Sequence, residues 1–257
     1  MKVTVLGCGA STGVPAIGIG WGRCNPADPR NRRRRGSLLI EACGKTILID
    51  TSPDLREQLL ETQIARIDAV LMTHAHADHL HGIDDLRAVN RAMRQPIPLY
   101  ADGKTLDEIR RRFGYVFDPP EDPGRFYKPT LIPHEITGRF TAAGIEVAPF
   151  AQDHGYSTTL GFRIGPMAYS TDVTELDEAA FAALAGVEFW VVDCLRRAPH
   201  PTHSHLAKTL GWIARVKPRR AVLTHMDQSL DYAELSAELP AGVEPGRDGL
   251  AVELNFP

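Results

Sequence analysis

Short runs of Val, Ile and Leu alternate along the chain with longer stretches in which apolar residues recur every three or four positions. Runs of the first kind, closed by Gly, Pro or Asp, predict strands at residues 2–6, 37–41, 46–49 and 69–73. Leu55, Leu59 and Leu60 recur at helical spacing behind Ser52-Pro53-Asp54, which predicts a helix over 54–64. Further helices are predicted at 84–93 and 105–113. The interval 114–133 breaks the pattern with five prolines and two glycines, and reads as a long irregular loop of the kind that binds or covers ligands. Strands resume at 145–150, 159–164, 167–170, 189–192 and 220–224, with helices at 175–184, 206–216 and 232–238. Two sets of strands with helices outside them predict a layered α/β architecture. No linker interrupts the pattern, so residues 1–257 are expected to form one domain.

Composition narrows the class without naming a chemistry. The 257 residues are 43% hydrophobic and 24% charged, with a formal net charge of −3. That balance is ordinary for a globular chain and gives no global pull toward nucleic acid or a membrane surface. The N-terminal Met-Lys-Val-Thr-Val-Leu-Gly reads as a strand and a turn rather than a leader, and no apolar run is long enough to span a bilayer. The four cysteines are scattered without a C-x-x-C pair. A reduced, cytoplasmic protein is the expectation.

The chemistry concentrates in Thr73-His74-Ala75-His76-Ala77-Asp78-His79. In extended chain just past a strand, His74 and His76 point the same way, and Asp78 and His79 then begin a turn toward helix. Two neighbouring divalent-metal positions follow, one with a carboxylate to hand. Imidazoles with carboxylates suit zinc or manganese and hydrolytic chemistry. His154, Asp172 and His225 each stand just beyond an apolar run, as His74 and His76 do. In open α/β sheets, ligands gather at that strand edge. Asp50 either caps the helix behind it or orients a ligand imidazole. Asp193 shares the strand-end position and is expected to be structural or supporting, while His81 and His134 read as surface histidines.

With Gly82 behind it, His74-x-His76-x-Asp78-His79 resembles the signature of the metallo-β-lactamase superfamily. His154, Ser170-Thr171-Asp172 and Leu223-Thr224-His225 fall in the superfamily's order, and the resemblance runs from Leu6-Gly7-Cys8-Gly9 to Glu244–Leu250. Within it, Gly7-x-Gly9-x-Ser11-x-Gly13-Val14-Pro15, Asn31-Arg32-Arg33 and His203 are similar to the cyclic-phosphate phosphodiesterases of the carbon–phosphorus lyase pathway. They are similar also to the endonucleases that trim precursor tRNA. The resemblance implies a four-layer αβ/βα sandwich with both metals at a shared sheet edge. It further implies His74, His76 and His154 on one ion, Asp78, His79 and His225 on the other, Asp172 bridging, and a metal-bridging hydroxide as nucleophile. The cyclic-phosphate enzymes carry a cysteine-rich loop for a further structural zinc. Here residues 16–25 offer only Cys24, and Gln228 replaces a histidine, so no structural zinc is expected.

Two divalent ions can clamp an in-line displacement at phosphorus, which leaves the departing oxygen to be protonated. His203, in Pro201-Thr202-His203-Ser204-His205 ahead of a helix, is the candidate for that task, ahead of His200 and His205. Asp78 could accept a proton while ligating metal. Arg30-Asn31-Arg32-Arg33-Arg34-Arg35 reads as a solvated basic face, with phosphate or RNA contact as the other reading. The expected function is hydrolysis of a small cyclic or nucleotide-like phosphodiester. A tRNA-end endonuclease or a thioester hydrolase of the same fold is the alternative, and a non-catalytic metal-dependent nucleic-acid-binding protein ranks below them. Nucleic acid is a less favoured partner than a small ester, and a homodimer is compatible with the sequence.

Overall fold

Strands that are apolar on both faces must be covered on both faces, and this chain does so with two sheets packed together and helices outside each. The structure is a computed structural model that describes residues 1–120, 122 and 125–256. The first sheet takes β1 (Lys2–Gly7), β2 (Ser37–Ala42), β3 (Lys45–Ile49), β4 (Ala69–Leu71), β5 (Ile97–Ala101) and β6 (Leu131–Glu135). The second takes β7 (Phe140–Ala142), β8 (Ile145–Asp153), β9 (Thr158–Ile164), β10 (Met167–Ser170), β11 (Phe189–Asp193), β12 (Arg220–Thr224) and β13 (Val243–Pro245). β14 (Leu250–Glu253) returns to the first sheet and pairs antiparallel with β1. The helices are α1 (Leu55–Thr62), α2 (Ala77–Leu80), α3 (Leu86–Met93), α4 (Gly103–Phe113), α5 (Glu178–Leu184), α6 (Leu206–Val216) and α7 (Tyr232–Glu238).

The sheets repeat one pattern. From β14 to β6, three antiparallel pairs are followed by three parallel ones, and from β7 to β13 the same succession recurs. Alternation along each strand divides the core. Val3, Val5, Leu38, Ile40, Ile47 and Ile49 share one buried cluster with Phe162, Trp190 and Val192 of the second sheet. Their neighbours Leu39, Leu48 and Val70 point the other way, onto Leu55, Leu59, Leu86, Val89, Leu106 and Ile109 of α1, α3 and α4. The α/β sandwich of the metallo-β-lactamase type is therefore the observed fold. No described helix is long and apolar enough to cross a membrane.

Several elements differ from expectation. The interval 114–133 opens with a 3-10 turn (Gly114–Phe117) and ends inside β6, and residues 121, 123 and 124 of it lie outside those described. β5 and β6 are not among the expected strands, and each holds a proline, Pro98 and Pro133, a residue usually confined to sheet edges and bulges. β7 and β13 are only three residues long, too short to register as a pattern. The 84–93 helix begins as a 3-10 turn over Ile83–Asp85.

The basic run is not simply a solvated face. Arg33 is buried, and its guanidinium donates to the carbonyls of Leu230 (2.6 Å) and Asp227 (3.0 Å). Arg30 pairs with Asp28 (2.7 Å) and lies over the Tyr232 ring, Arg34 pairs with Glu61, and Arg35 with Asp54 (2.6 Å). Most of the run staples the N-terminal loops to the body, because a charge is costly to bury unless it is bonded.

Candidate metal centre

Each cluster residue is delivered by the end of a strand or by the short helix behind one. β4 runs out into Thr73 and His74, and His76 caps α2, which carries Asp78 and His79. β8 leads directly into His154, β10 into Asp172 two residues on, and β12 into His225. Asp50, Asp172 and His225 all adopt left-handed backbone, with φ of 63°, 52° and 57°. For a residue with a side chain that conformation is uncommon, tolerated best by Asn, Asp and His, and it turns the chain sharply off the strand.

All seven predicted ligand residues come together. His74, His76, His154 and Asp172 form one group able to hold a cation, and Asp78, His79, Asp172 and His225 form a second. Asp172 belongs to both. Its Oδ2 lies 3.6 Å from His74 Nε2 and 3.5 Å from His154 Nε2. Its Oδ1 lies 3.0 Å from His79 Nε2 and 3.3 Å from His225 Nε2. Asp78 Oδ2 completes the second group, 3.3 Å from His225 Nε2 and 3.4 Å from His79 Nε2. His76 is the one solvent-exposed member of the first group.

The hydrogen bonds behind the rings fix which nitrogen faces inward. His154 Nδ1 lies 2.6 Å from the Thr202 carbonyl, which can only accept, so Nδ1 carries the proton and Nε2 presents a lone pair. His79 Nδ1 lies 2.7 Å from Asp50 Oδ2, and Asp50 also accepts from Thr73 N and Thr73 Oγ1, each at 2.8 Å. Asp50 is thus the imidazole-orienting carboxylate of its two readings, and it is Asp54 that stands at the N-cap of α1. Thr73 Oγ1 sits 3.0 Å from His74 Nδ1.

The donor set fits divalent cations. Nε2 of His74 and Nε2 of His79 are buried without a hydrogen-bond partner, although Asp172 Oδ1 is only 3.0 Å from the latter. Buried nitrogens aimed together at carboxylate oxygens without in-line bonds have the geometry of ligands around a shared ion. The charge balance of the chain alone agrees. Burial pushes the Asp172 and Asp78 carboxyls up, yet the surrounding imidazoles hold both well below the usual carboxylate range. Burial pushes His74 and His154 down. On the other side of Asp172, burial acts the same way on His225, but the Asp172, Asp78 and Asp193 carboxylates outweigh it and push it up to about 9. That half of the cluster attracts positive charge.

A cleft of about 360 Å³ opens onto the cluster, with His203 on its wall and Ser11 and Tyr156 at its rim. His203 stacks on His225, ring centroids 4.7 Å apart. Its Nδ1 lies 3.4 Å from Asp193 Oδ2 and its Nε2 lies 3.9 Å from Asp172 Oδ2. Asp193 is fully buried, is held by Ser204 N (3.0 Å), and also faces His225 Nδ1 at 3.9 Å. His200 lies beside His203, ring centroids 5.3 Å apart, with its Nδ1 3.3 Å from Thr202 N, and His205 caps α6 by backbone alone. His81 packs edge-on against Phe113 and His134 stacks on Tyr100, both away from the cleft. Sequence reasoning gave Asp193 a structural or supporting place without naming the imidazoles it faces, and passed over Tyr156, whose only signal was its place two residues after His154.

Comparison with known proteins agrees with this geometry. Residues 45–226 match the family described as beta-lactamase superfamily domain. An octanoyltransferase of Porphyromonas gingivalis (strain ATCC BAA-308 / W83) is 36% identical over 255 residues, covering 97% of this chain and 51% of its own length. The chain spans about half the length of the curated relatives it matches. The crystal structure of a new diphosphatase from the PhnP family superposes with a TM-score of 0.91 at 35% identity, covering 99% of this chain and 98% of that one. The short form of human tRNase Z shares the fold, with a TM-score of 0.71 at 17% identity and full coverage of both chains. A match over most of the chain, carried on this sandwich, places the protein in the β-lactamase superfamily.

Proposed function

We propose that the protein is a two-metal phosphodiester hydrolase acting on a small cyclic or nucleotide-like ester. The observation that carries this reading is Asp172, whose two oxygens each face a separate pair of imidazole nitrogens at 3.0–3.6 Å. One ion would be held by His74, His76, His154 and Asp172, the other by Asp78, His79, His225 and Asp172. Zinc and manganese suit this mixture of imidazole and carboxylate. Two such ions would supply Lewis acidity toward a phosphoryl oxygen and lower the pKa of a water.

The chain's own residues do the rest. Asp50 and the Thr202 carbonyl hold the His79 and His154 rings so that Nε2 faces inward. Asp193 Oδ2 stands 3.4 Å behind His203 Nδ1, which leaves Nε2 turned to the cleft to give a proton to the leaving oxygen. The diphosphatase relative supports phosphorus over acyl carbon as the reacting centre. The paired arginines of the 30–35 run support a small ester over an RNA, since their charges are already answered within the chain.

The test is to measure bound metal and then compare bis(p-nitrophenyl) phosphate, a ribose cyclic phosphate, a glutathione thioester and precursor tRNA as substrates. About two ions per chain and preference for a small phosphodiester are expected, with His203→Ala retaining metal while losing about 10²–10⁴-fold in kcat. Preference for the thioester, or loss of metal in His203→Ala, would overturn the reading.

A further inference from the structure

The cleft over the metal centre does not stop at His76. A second groove of about 370 Å³ begins on the other side of His76 and runs toward the start of α4, past Asp102, Lys104 and Thr105. Tyr156 and Ser157 line both cavities, so they form the ridge between them.

Tyr156 is 91% exposed, an unusual position for a large aromatic ring beside a reactive cleft. Its exposure is imposed by the backbone. His154 N donates to the Ser157 carbonyl (2.9 Å), Tyr156 N to the His154 carbonyl (3.0 Å), and Gly155 N to Asp153 Oδ1 (2.7 Å). Gly155 has φ +76°, and a Cβ there would lie 2.6 Å from the Pro201 carbonyl. The turn is therefore fixed at one end by a proposed metal ligand and along its side by the Pro201–Thr202 segment. A ring held in water by a rigid turn is ready to stack at little ordering cost.

The groove's charges select the kind of group it accepts. Glu108 is bonded to Arg111 (2.5 Å) and Arg112 (2.9 Å), and Asp102 accepts the Thr105 N–H (2.7 Å). Glu135 lies beside Gly103. The charged residues that line the groove, Asp102 and Glu108 against Lys104 and Arg112, balance in number, so it holds no surplus of positive charge for a second phosphate. It offers an aromatic face, hydroxyls at Ser157 and Thr158, and a carboxylate able to accept from sugar hydroxyls.

We propose that this groove binds the nucleoside arm of the ester, with the base stacked on Tyr156 and the sugar toward Asp102. The inference rests on the phosphodiesterase reading above and names the substrate class within it: a nucleoside ester rather than a bare sugar phosphate or a diphosphate.

The test pairs two esters with the same leaving group, thymidine 5′-(p-nitrophenyl phosphate) and methyl p-nitrophenyl phosphate. The wild-type protein should favour the thymidine ester in kcat/KM. Tyr156→Ala should lower that preference about tenfold, mainly through KM, as loss of one base–aromatic stack implies. Tyr156→Phe should keep it. An unchanged ratio in Tyr156→Ala, or an equal fall for both esters, overturns the proposal. If neither ester is cleaved by the metal-loaded protein, the phosphodiesterase reading fails on its own. Calorimetry with thymidine 5′-monophosphate against methyl phosphate then decides the groove: Tyr156-dependent preference for the nucleotide sustains it, and equal affinity overturns it.

Discussion

Asp248 shows how burial and bonding compete over one carboxyl. It accepts from the backbone N–H of Arg34 (2.7 Å) and of Cys8 (3.2 Å), both of which favour the charged form. Burial is the larger effect, and it pushes the Asp248 carboxyl up to about 7. In the unfolded chain an aspartate titrates near ~3.9, so between these values the folded chain holds the proton that the unfolded chain releases. The stabilising contribution is complete below about pH 4 and is lost as pH rises through about 7. Asp248→Asn cannot titrate, so its urea midpoint relative to wild type should improve from pH 5 to pH 8. A difference that stays constant with pH would show that the buried carboxyl is already charged at pH 5. The same rule decides the roles of other aspartates. Asp50 and Asp193 are equally buried, yet each stands behind an imidazole, and nothing in their sequence neighbourhoods distinguishes such a place from a helix cap or a core polar group.

At the scale of elements, the site depends on how strands end. The apolar runs of β4, β10 and β12 were legible because both their faces are buried, and the polar residue after each run marked the edge where the cluster forms. The left-handed turns at Asp50, Asp172 and His225 were not legible, since local spacing carries no trace of a conformation that tertiary packing imposes. Proline-bearing β5 and three-residue β7 escaped for a related reason: pairing with neighbours, not their own pattern, makes them strands. The turn after β8 gives the clearest test of this dependence. Gly155→Ala meets both the +76° backbone and the Pro201 carbonyl, and should cost about 1–3 kcal/mol in a urea titration. A midpoint within error of wild type would mean the turn is free to rearrange, contrary to its three hydrogen bonds.

For the whole molecule, the cluster sits where both sheets meet, so whatever it holds ties the halves together. Chelation should lower Tm, and zinc or manganese should restore it. The recovery expected is about 2.7 kcal/mol when free metal is a hundredfold above its Kd. A Tm indifferent to chelator and to added metal would argue that the cluster holds none.

The return of β14 to the first sheet has a consequence during synthesis. β1 is made long before the strand that pairs its outer edge, residues 250–253. Until those residues are made, that edge offers unpaired N–H and C=O groups, with Val3 and Val5 on the face beside them. Folding as the chain emerges gives this sheet no early closure. The nascent chain must be shielded or kept dilute until β14 arrives, and β1 is where premature release would nucleate aggregation.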